Sequence, residues 1–306
     1  MSVRVTNFTK MNNILLTLNR RMRNMTKYQE QLATNRRVIH PSDDPTGTNR
    51  ILTLNGEIAL NEQHQRNLDN TQGVLNFTES IIVSIEEVIT SARTDAILAD
   101  SDTITDEERL IISARVDLLL EDLLTHSNSQ YAGSYIFSGT NSQNPTFVAT
   151  RDDAGEIIDV ALNPEGASGD IVREIGYDNR ITVNVEGEEL LMSGGDSDLF
   201  DGLIRFRDAL RNGDLDEIGS TIDRLDAAYN QVLTQRTFLG AMGQRVMQAQ
   251  ELVLEMAIDY TDDLSRVEDI DYAEAILQYT IEENAYQAAL GAASRVIQPT
   301  LLDFLG

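Results

Sequence analysis

The two ends of the chain carry the same apolar spacing. Near the N-terminus, apolar side chains recur at alternating intervals of three and four residues, interrupted in register only by Gln29, at Phe8, Met11, Leu15, Leu18, Met22, Met25 and Leu32. Near the C-terminus, the same spacing, interrupted only by Glu283, is kept by Tyr272, Ile276, Tyr279, Tyr286, Leu290, Ala293 and Ile297. This spacing is typical of a coiled-coil seam. We therefore expect both ends to be long helices that pair antiparallel, and we call these fourteen residues the predicted seam.

The C-terminal segment carries a second apolar strip beside the predicted seam. Its members are Leu277, Ile281, Ala285, Ala288, Ala292 and Val296. A helix with apolar residues on two sides must be covered from two directions. Burial of the predicted seam alone does not offset the entropy of ordering both ends. The sequence therefore predicts that the terminal pair is covered by further copies of the chain, so the predicted seam is also a predicted assembly surface.

Three further apolar patterns predict helices between the ends. The first runs from Leu68 to Ile89, the second begins at Thr105, where Thr105 and Glu108 form a capping-box pattern, and the third runs from Leu239 to Tyr260. Between residues 135 and 192 the composition changes to the short β-prone runs YIFSG, EIIDVAL, DIVREI and RITVNVEGEELLM, separated by turn residues. The prediction is a mainly α fold with a small β-rich insert.

The order helix, insert, helix predicts three domains. Residues 1–42 with 268–306 form the terminal coiled-coil domain, residues 43–134 with 193–267 form a helical body, and residues 135–192 form the insert.

The stretch HPSDDPTG, residues 40–47, interrupts the helical pattern and allows two interpretations. Adjacent carboxylates can bind a metal ion, but no calcium-loop pattern surrounds this pair. Alternatively, Pro41 ends the first helix at His40, and Asp44 caps the next helix with Pro45 at its first position. We favour a joint between two helical domains, formed by Pro41, Ser42, Asp43, Asp44 and Pro45.

Charge and composition narrow the functional classes. The formal net charge is −26, which disfavours nucleic-acid phosphates and anionic lipid surfaces as partners. Residues 1–50 nevertheless hold nine Lys/Arg against three Asp/Glu. The chain has no Cys, so thiolate chemistry and disulfides are excluded. The first residues lack the continuous apolar core of a secretory signal, and we expect no membrane anchor.

No motif predicts catalysis, a cofactor or a metal centre. His40, His64 and His126 are far apart in sequence and form no zinc-binding pattern. The segment Ser193–Gly202 is rich in oxygen ligands but lacks the order of an EF-hand, and its Ser197 or Asp198 suits a helix cap. An enzyme, or a free-standing coiled-coil adhesin or scaffold, therefore fits less well than an assembly component.

Four stretches resemble the bacterial flagellin family, and within it the proteins that join hook to filament. They are QLATNRRVIHPSDDPTG, QRNLDNTQGVLNFTESII, YAGSYIFSGT and the C-terminal ASRVIQPTLLDFLG. Serine and glycine would be usual in the family where Thr34 and Asn35 stand here. Flagellin itself, the filament subunit, is the alternative within the family.

The resemblance implies a flagellin-like fold and a structural, non-enzymatic role. It also implies export through the flagellar type III apparatus without a cleaved signal, followed by assembly outside the cell. The implied partners are a ring of identical subunits, hook-associated protein 1, flagellin and a cytoplasmic export chaperone.

Overall fold

The computed structural model describes residues 7–101, 103–165, 168–176, 179–193 and 198–297. Within these residues the helices are α1 (Asn7–Thr34), α2 (Pro45–Ala99), α3 (Asp106–Ser127), α4 (Gly187–Leu191), α5 (Leu199–Asn212), α6 (Leu215–Glu268) and α7 (Tyr272–Ile297). The strands are β1 (Gln130–Tyr131), β2 (Ser134–Tyr135), β3 (Phe147–Arg151), β4 (Ile157–Leu162), β5 (Val172–Gly176) and β6 (Asn179–Thr182). The fold is mainly helical with a small β-rich insertion, as the sequence predicts.

The chain divides into two compact units. The first comprises Met1–Leu60 and Met256–Gly306, and the second comprises Asn61–Glu255. The division lies inside α2 and α6, whereas the predicted domain boundaries lie at residues 42 and 268.

In the first unit, α1 packs against α7. Arg21 within α1 bonds Glu282 within α7, whereas Arg36, just after the end of α1, bonds Glu268, just before the start of α7. The two terminal helices are therefore antiparallel. Arg50 of α2 bonds Asp263 of α6 in the same unit, at 3.0 Å.

The first helix ends earlier than the prolines suggest. Pro41 predicts an end at His40, but α1 ends at Thr34 and Asn35 adopts φ 58°. A left-handed residue after a helix terminates it, and Asn tolerates this conformation better than most residues other than glycine. The expected end at Pro41 is therefore wrong. The chain continues as a short extended stretch in which the N–H of Arg37 donates to the carbonyl of Glu268 at 2.6 Å.

Helix α2 begins as predicted. Pro45 is its first residue, and the Oδ1 atom of Asp44 accepts a hydrogen bond from the N–H of Gly47 at 2.8 Å. Asp44 thus satisfies one of the free N–H groups at the helix start. A Cβ on Gly47 would lie 2.5 Å from the same carboxylate, so glycine leaves room for the cap.

In the second unit, α2 and α6 lie antiparallel and together supply nearly half of the buried core residues, while α3, α4, α5 and the hairpin segments supply the others. Asn61 bonds the carbonyl of Val253, and Arg93 bonds Asp226 further along. The members of the predicted α2 pattern are all buried, at Leu68, Thr71, Leu75, Thr78, Ile82, Ile85 and Ile89. The α6 pattern is buried from Leu239 to Val253. Apolar periodicity therefore located both helices and their inner faces.

Two predicted helix starts carry the expected caps. The hydroxyl of Thr105 accepts from the N–H of Glu108 at 3.3 Å, and the Glu108 carboxylate accepts from the N–H of Thr105 at 2.9 Å. This reciprocal pair is the predicted capping box. Asp198 caps α5 by accepting from the N–H of Asp201 at 3.0 Å. Ser197, the other predicted cap, lies outside the described residues.

In and just before the insertion, the described residues form three antiparallel two-stranded sheets, β1–β2, β3–β4 and β5–β6. Their buried side chains join the helical core instead of forming a separate one. Phe147 of β3, for example, packs on Phe200 of α5, with ring centroids 5.2 Å apart. The division of folding into three domains stays a hypothesis, while the packing joins the hairpins to the helical body.

The last β-prone run is only partly a strand. The residues RIT lie in β6, but Gly187–Leu191 forms the short helix α4. Leu190 and Leu191 are adjacent and both buried, a pattern that a strand with one exposed face cannot give. A Cβ on Gly187 would lie 3.0 Å from the ring of Phe147, so the glycine permits close approach to β3. The expectation of a strand here is wrong.

Candidate assembly surface

Polar groups hold the two terminal helices together. Arg21 Nη1 donates to Glu282 Oε2 at 2.8 Å, and Asn24 Nδ2 donates to Glu282 Oε1 at 2.9 Å. The Glu282 residue is only 8% exposed. Burial of this carboxylate opposes its ionisation, but the hydrogen bonds from Asn24 and Arg21 outweigh burial and hold the pKa of Glu282 below its ordinary value. The pair is therefore charged near neutral pH.

One half of the predicted seam faces the contact between α1 and α7. These side chains are half-buried, except for Ala293, which is buried, and they are Leu18, Met25, Leu32, Tyr279, Tyr286 and Ala293. They recur every seven residues on each helix, so they form one line along the contact.

The other half of the predicted seam is exposed in the single chain. Its members on α1 are Met11, Leu15 and Met22, and its members on α7 are Tyr272, Ile276 and Leu290. Leu15 is 51% exposed, Met22 58% and Ile276 54%. The side chains of Phe8 and Ile297 lie outside the described residues. Met11 and Tyr272 continue the lines of the half-buried members toward the open ends of the contact, whereas Leu15 with Met22 and Ile276 with Leu290 form separate exposed lines. Exposed apolar side chains of this size are typical of a surface that a partner covers.

The second apolar strip of α7 is also uncovered. Leu277 is 58% exposed and Ile281 is 48% exposed. Ala288 and Ala292 are exposed, and Ala285 is half-buried, while the side chain of Val296 lies outside the described residues. Apolar groups therefore face outward on two sides of α7.

Ion pairs surround the joint between α1 and α2. Lys27 Nζ lies 3.0 Å from Asp43 Oδ1, and Arg37 Nη1 lies 3.3 Å from Asp44 Oδ2. The hydrogen bond from Lys27 lowers the pKa of Asp43, and the N–H of Gly47 lowers the pKa of Asp44. Pro41 and Ser42 lie exposed in the turn. Each acid thus has a partner within the chain that suits an architectural role.

Sequence reasoning missed three residues that fix this region. Gln31 is buried and donates from Nε2 to the carbonyl of Arg37 at 2.6 Å. Arg37 donates to the carbonyl of Val267, and Val38 is buried. The apolar spacing could not reveal an amide and a guanidinium that bond the backbone. The only available signal was their position beside the interruption of the helical pattern.

The other candidate sites form no centre within the part of the chain that the structure describes. No group of three or more His, Asp or Glu side chains there is placed to hold a metal ion. Residues 194–197 of the oxygen-rich segment lie outside the description. No described helix has the length and apolar character to cross a membrane.

Comparison with known proteins identifies the family. The model of the bacterial flagellin N-terminal helical region matches residues 5–142, and that of the C-terminal helical region matches residues 222–305. Together they cover well over half of the chain, including α1, α7 and the predicted seam. The chain therefore belongs to the bacterial flagellin family.

Particular members are similar over most of their length. Flagellar hook-associated protein 3 of Escherichia coli is 23% identical over 289 residues, which cover 87% of this chain and 88% of the relative. A solved structure of a putative flagellar hook-associated protein from Vibrio parahaemolyticus has a TM-score of 0.67 at 19% identity, covering 74% of this chain and all of that one. The flagellar junction protein of Legionella pneumophila has a TM-score of 0.55 at 15% identity, covering 73% and 100%. These structures share the fold.

Proposed function

We propose that this protein is a structural component of the bacterial flagellum that forms the junction between the hook-associated ring and the flagellin filament. The exposed half of the predicted seam carries the proposal. Met11, Leu15 and Met22 on α1, with Ile276 and Leu290 on α7, are large apolar side chains that the single chain leaves exposed. A chain whose apolar surface is covered only when neighbouring subunits pack against it suits an assembly role.

The similarity to hook-associated protein 3 over most of both chains supports the junction in particular. Flagellin, the filament subunit, remains the alternative, because it shares the paired terminal helices. The stretches PSDDP and SYIFSGT favour the junction protein over flagellin, as the resemblance described above implies.

The proposal includes export and partners. The protein leaves the cell through the flagellar type III apparatus without a cleaved signal and is guided by a cytoplasmic chaperone. It then assembles outside the cell as a ring of identical subunits between hook-associated protein 1 and flagellin. Its role is geometric and uses no catalytic site or cofactor.

Electron microscopy of a tagged strain tests this function. The turn between β3 and β4 is exposed from Asp152 to Gly155, so an epitope inserted after Asp153 is accessible and leaves α1 and α7 unchanged. We expect gold label in one short zone above the hook. Label along the whole filament would establish the flagellin alternative, and label absent from the flagellum would overturn the proposal.

A matched strain tests the same function genetically. Loss of this protein should leave hooks intact while flagellin is released into the medium. Normal filaments on the deletion strain would contradict a junction role.

A further inference from the structure

Helix α1 has an outward face that its contact with α7 does not use. Leu15 and Met22, seven residues apart, project from this face as large apolar side chains. Arg23 lies beside them at the surface and forms no ion pair within the described residues. We call Leu15, Met22 and Arg23 the α1 ridge.

The last turns of α6 in the first unit bear a shallow hollow. Ala257, Thr261 and Ser265 recur every four residues and line it together with Ile258 and Asp262, and its volume is about 450 Å³. Ile258 is 64% exposed. We call these five residues the α6 hollow. A row of small side chains every four residues forms a groove that large side chains of another helix can enter.

Charge is arranged to match. Helix α1 carries five basic residues and one acidic residue, whereas residues 256–268 of α6 carry four acidic residues and one basic residue. Ion pairs within one copy already engage two of these bases, Arg21 and Lys27, and three of these acids, Asp262, Asp263 and Glu268. The charge match between copies therefore depends on Arg23 and Asp259. Asp259, next to Ile258, is exposed and forms no ion pair within the described part of the chain. The α1 ridge is raised and carries a basic residue, and the α6 hollow is concave and lies beside an acidic residue. The two surfaces are therefore complementary in shape and in charge.

We propose that the α1 ridge of one copy docks into the α6 hollow of the next copy. The inference rests on the proposed assembly function and names a surface on α6, which lies outside the predicted seam. Both surfaces are exposed in the single chain, so they do not cover each other within one copy. Because the two surfaces are different, their contact is head-to-tail, and such a contact generates a ring where its rotation closes and a helical array where it does not.

Cysteine cross-linking tests this contact, since the chain has no cysteine of its own. A strain producing both Met22→Cys and Ile258→Cys full-length chains should yield disulfide-linked dimers in isolated hook-junction complexes. Strains with either variant alone should yield none, because a head-to-tail contact brings unlike positions together. Leu118→Cys, at an exposed position of the second unit, replaces Ile258→Cys in the control strain and should give no dimer with Met22→Cys.

Charge reversal provides the second measurement. Arg23→Glu in the Met22→Cys chain should lower the dimer yield about 1.4- to fivefold, the range of an exposed ion pair. Asp259→Arg in the Ile258→Cys chain should restore the yield. A dimer yield that stays the same after Arg23→Glu and after Asp259→Arg would overturn the electrostatic part of the proposal.

The outcomes separate this inference from the proposed function. If tagged rings form at the junction but the mixed strain gives no dimer above the Leu118→Cys control, the docking surface is wrong and the junction role stands. If neither the cysteine chains nor a tagged wild-type chain reaches the flagellum, both proposals fail.

Discussion

Arg21 and Glu282 lie 261 residues apart in the chain, yet their side chains meet at 2.8 Å. Arg21 belongs to the first helix and Glu282 to the last. Their contact, together with that of Asn24, fixes which residues of the two terminal helices face each other. A single carboxylate thus receives two donors from the opposite end of the protein.

Acid should open the terminal pair. The folded-state pKa of Glu282 lies below its ordinary value, so its contribution to stability is present above the unfolded pKa and is lost as the pH falls through the folded pKa. We expect the protection factors of the α1 and α7 amides in the monomer, which correct for the slower intrinsic exchange in acid, to fall as the pH drops below the ordinary range of a glutamate. Glu282→Gln should show the loosened helices already at neutral pH.

Glu283→Gln provides the matched control for that experiment. Glu283 is the next residue on the same helix, and no described hydrogen bond ties it to Arg21 or Asn24. Equal exchange rates in the two variants would mean that the Arg21–Glu282 pair does not hold the helices together.

Substitution at the joint should loosen a helix start and nothing else. Asp44→Ala removes the acceptor for the N–H of Gly47, so the first turn of α2 should exchange faster. Asp44→Asn keeps an acceptor oxygen and should retain most of the protection.

The two acids of the joint should not bind a metal ion. We expect isothermal calorimetry with Ca²⁺ or Mg²⁺ to give the same heat for the wild-type chain and for the double variant Asp43→Ala, Asp44→Ala. A binding heat that is present in the wild-type chain and lost in the double variant would show that the two acids are metal ligands.

Loss of the capping box should cost measurable stability. Thr105→Ala leaves the N–H of Glu108 without its acceptor and should lower the free energy of unfolding by about 0.5–2 kcal/mol. Thr105→Ser keeps the hydroxyl and should remain close to wild type. Urea unfolding followed by circular dichroism measures both variants, and equal losses would show that the cap is not responsible.

The insertion should stabilise the helices on which it packs. Phe147 is 2% exposed, and Phe147→Ala should destabilise the second unit by about 3–5 kcal/mol. Val148, the next residue, is 44% exposed, and Val148→Ala should change stability by less than about 0.5 kcal/mol. If α2 and α5 unfold at an unchanged urea concentration in Phe147→Ala, the insertion is an independent domain after all.

Removal of the last helix should separate solubility from assembly. A chain without residues 272–306 loses the partner of α1 but keeps all of the second unit. We expect it to be soluble and folded from about residue 61 to 255, and to form no junction, with flagellin found in the culture medium. Filaments on such a strain would contradict the assembly role of α7.

Long apolar patterns predicted the helices well. Every member of the α2 pattern from Leu68 to Ile89 is buried, because a strict spacing kept over several turns places all of its members on one face of the helix. Thr105 and Asp198 were found for a similar reason, since a side chain that satisfies free N–H groups must stand at a fixed distance before the helix.

The orientation of α1 toward α7 could not be predicted. Both halves of the predicted seam are apolar, so the spacing gives no preference between Met22 and Met25. The choice is made by polar side chains, because only one rotation of α1 brings Arg21 and Asn24 to Glu282. The end of α1 was missed in a similar way, since Asn35 takes a conformation for which glycine is the usual signal.

Glu86 of α2 and Arg236 of α6, which meet at 2.8 Å, lie on the two longest helices of the chain. Two such helices with regular apolar faces could pair equally well after one slides past the other by seven residues. That slide would leave the Glu86 carboxylate, now nearly buried, away from its guanidinium, and a buried charge without its partner is strongly destabilising. The ion pair therefore sets the register of α2 against α6. Each time the chain folds, the alignment of α2 and α6 is selected by charge, while the strength of their association comes from the apolar side chains.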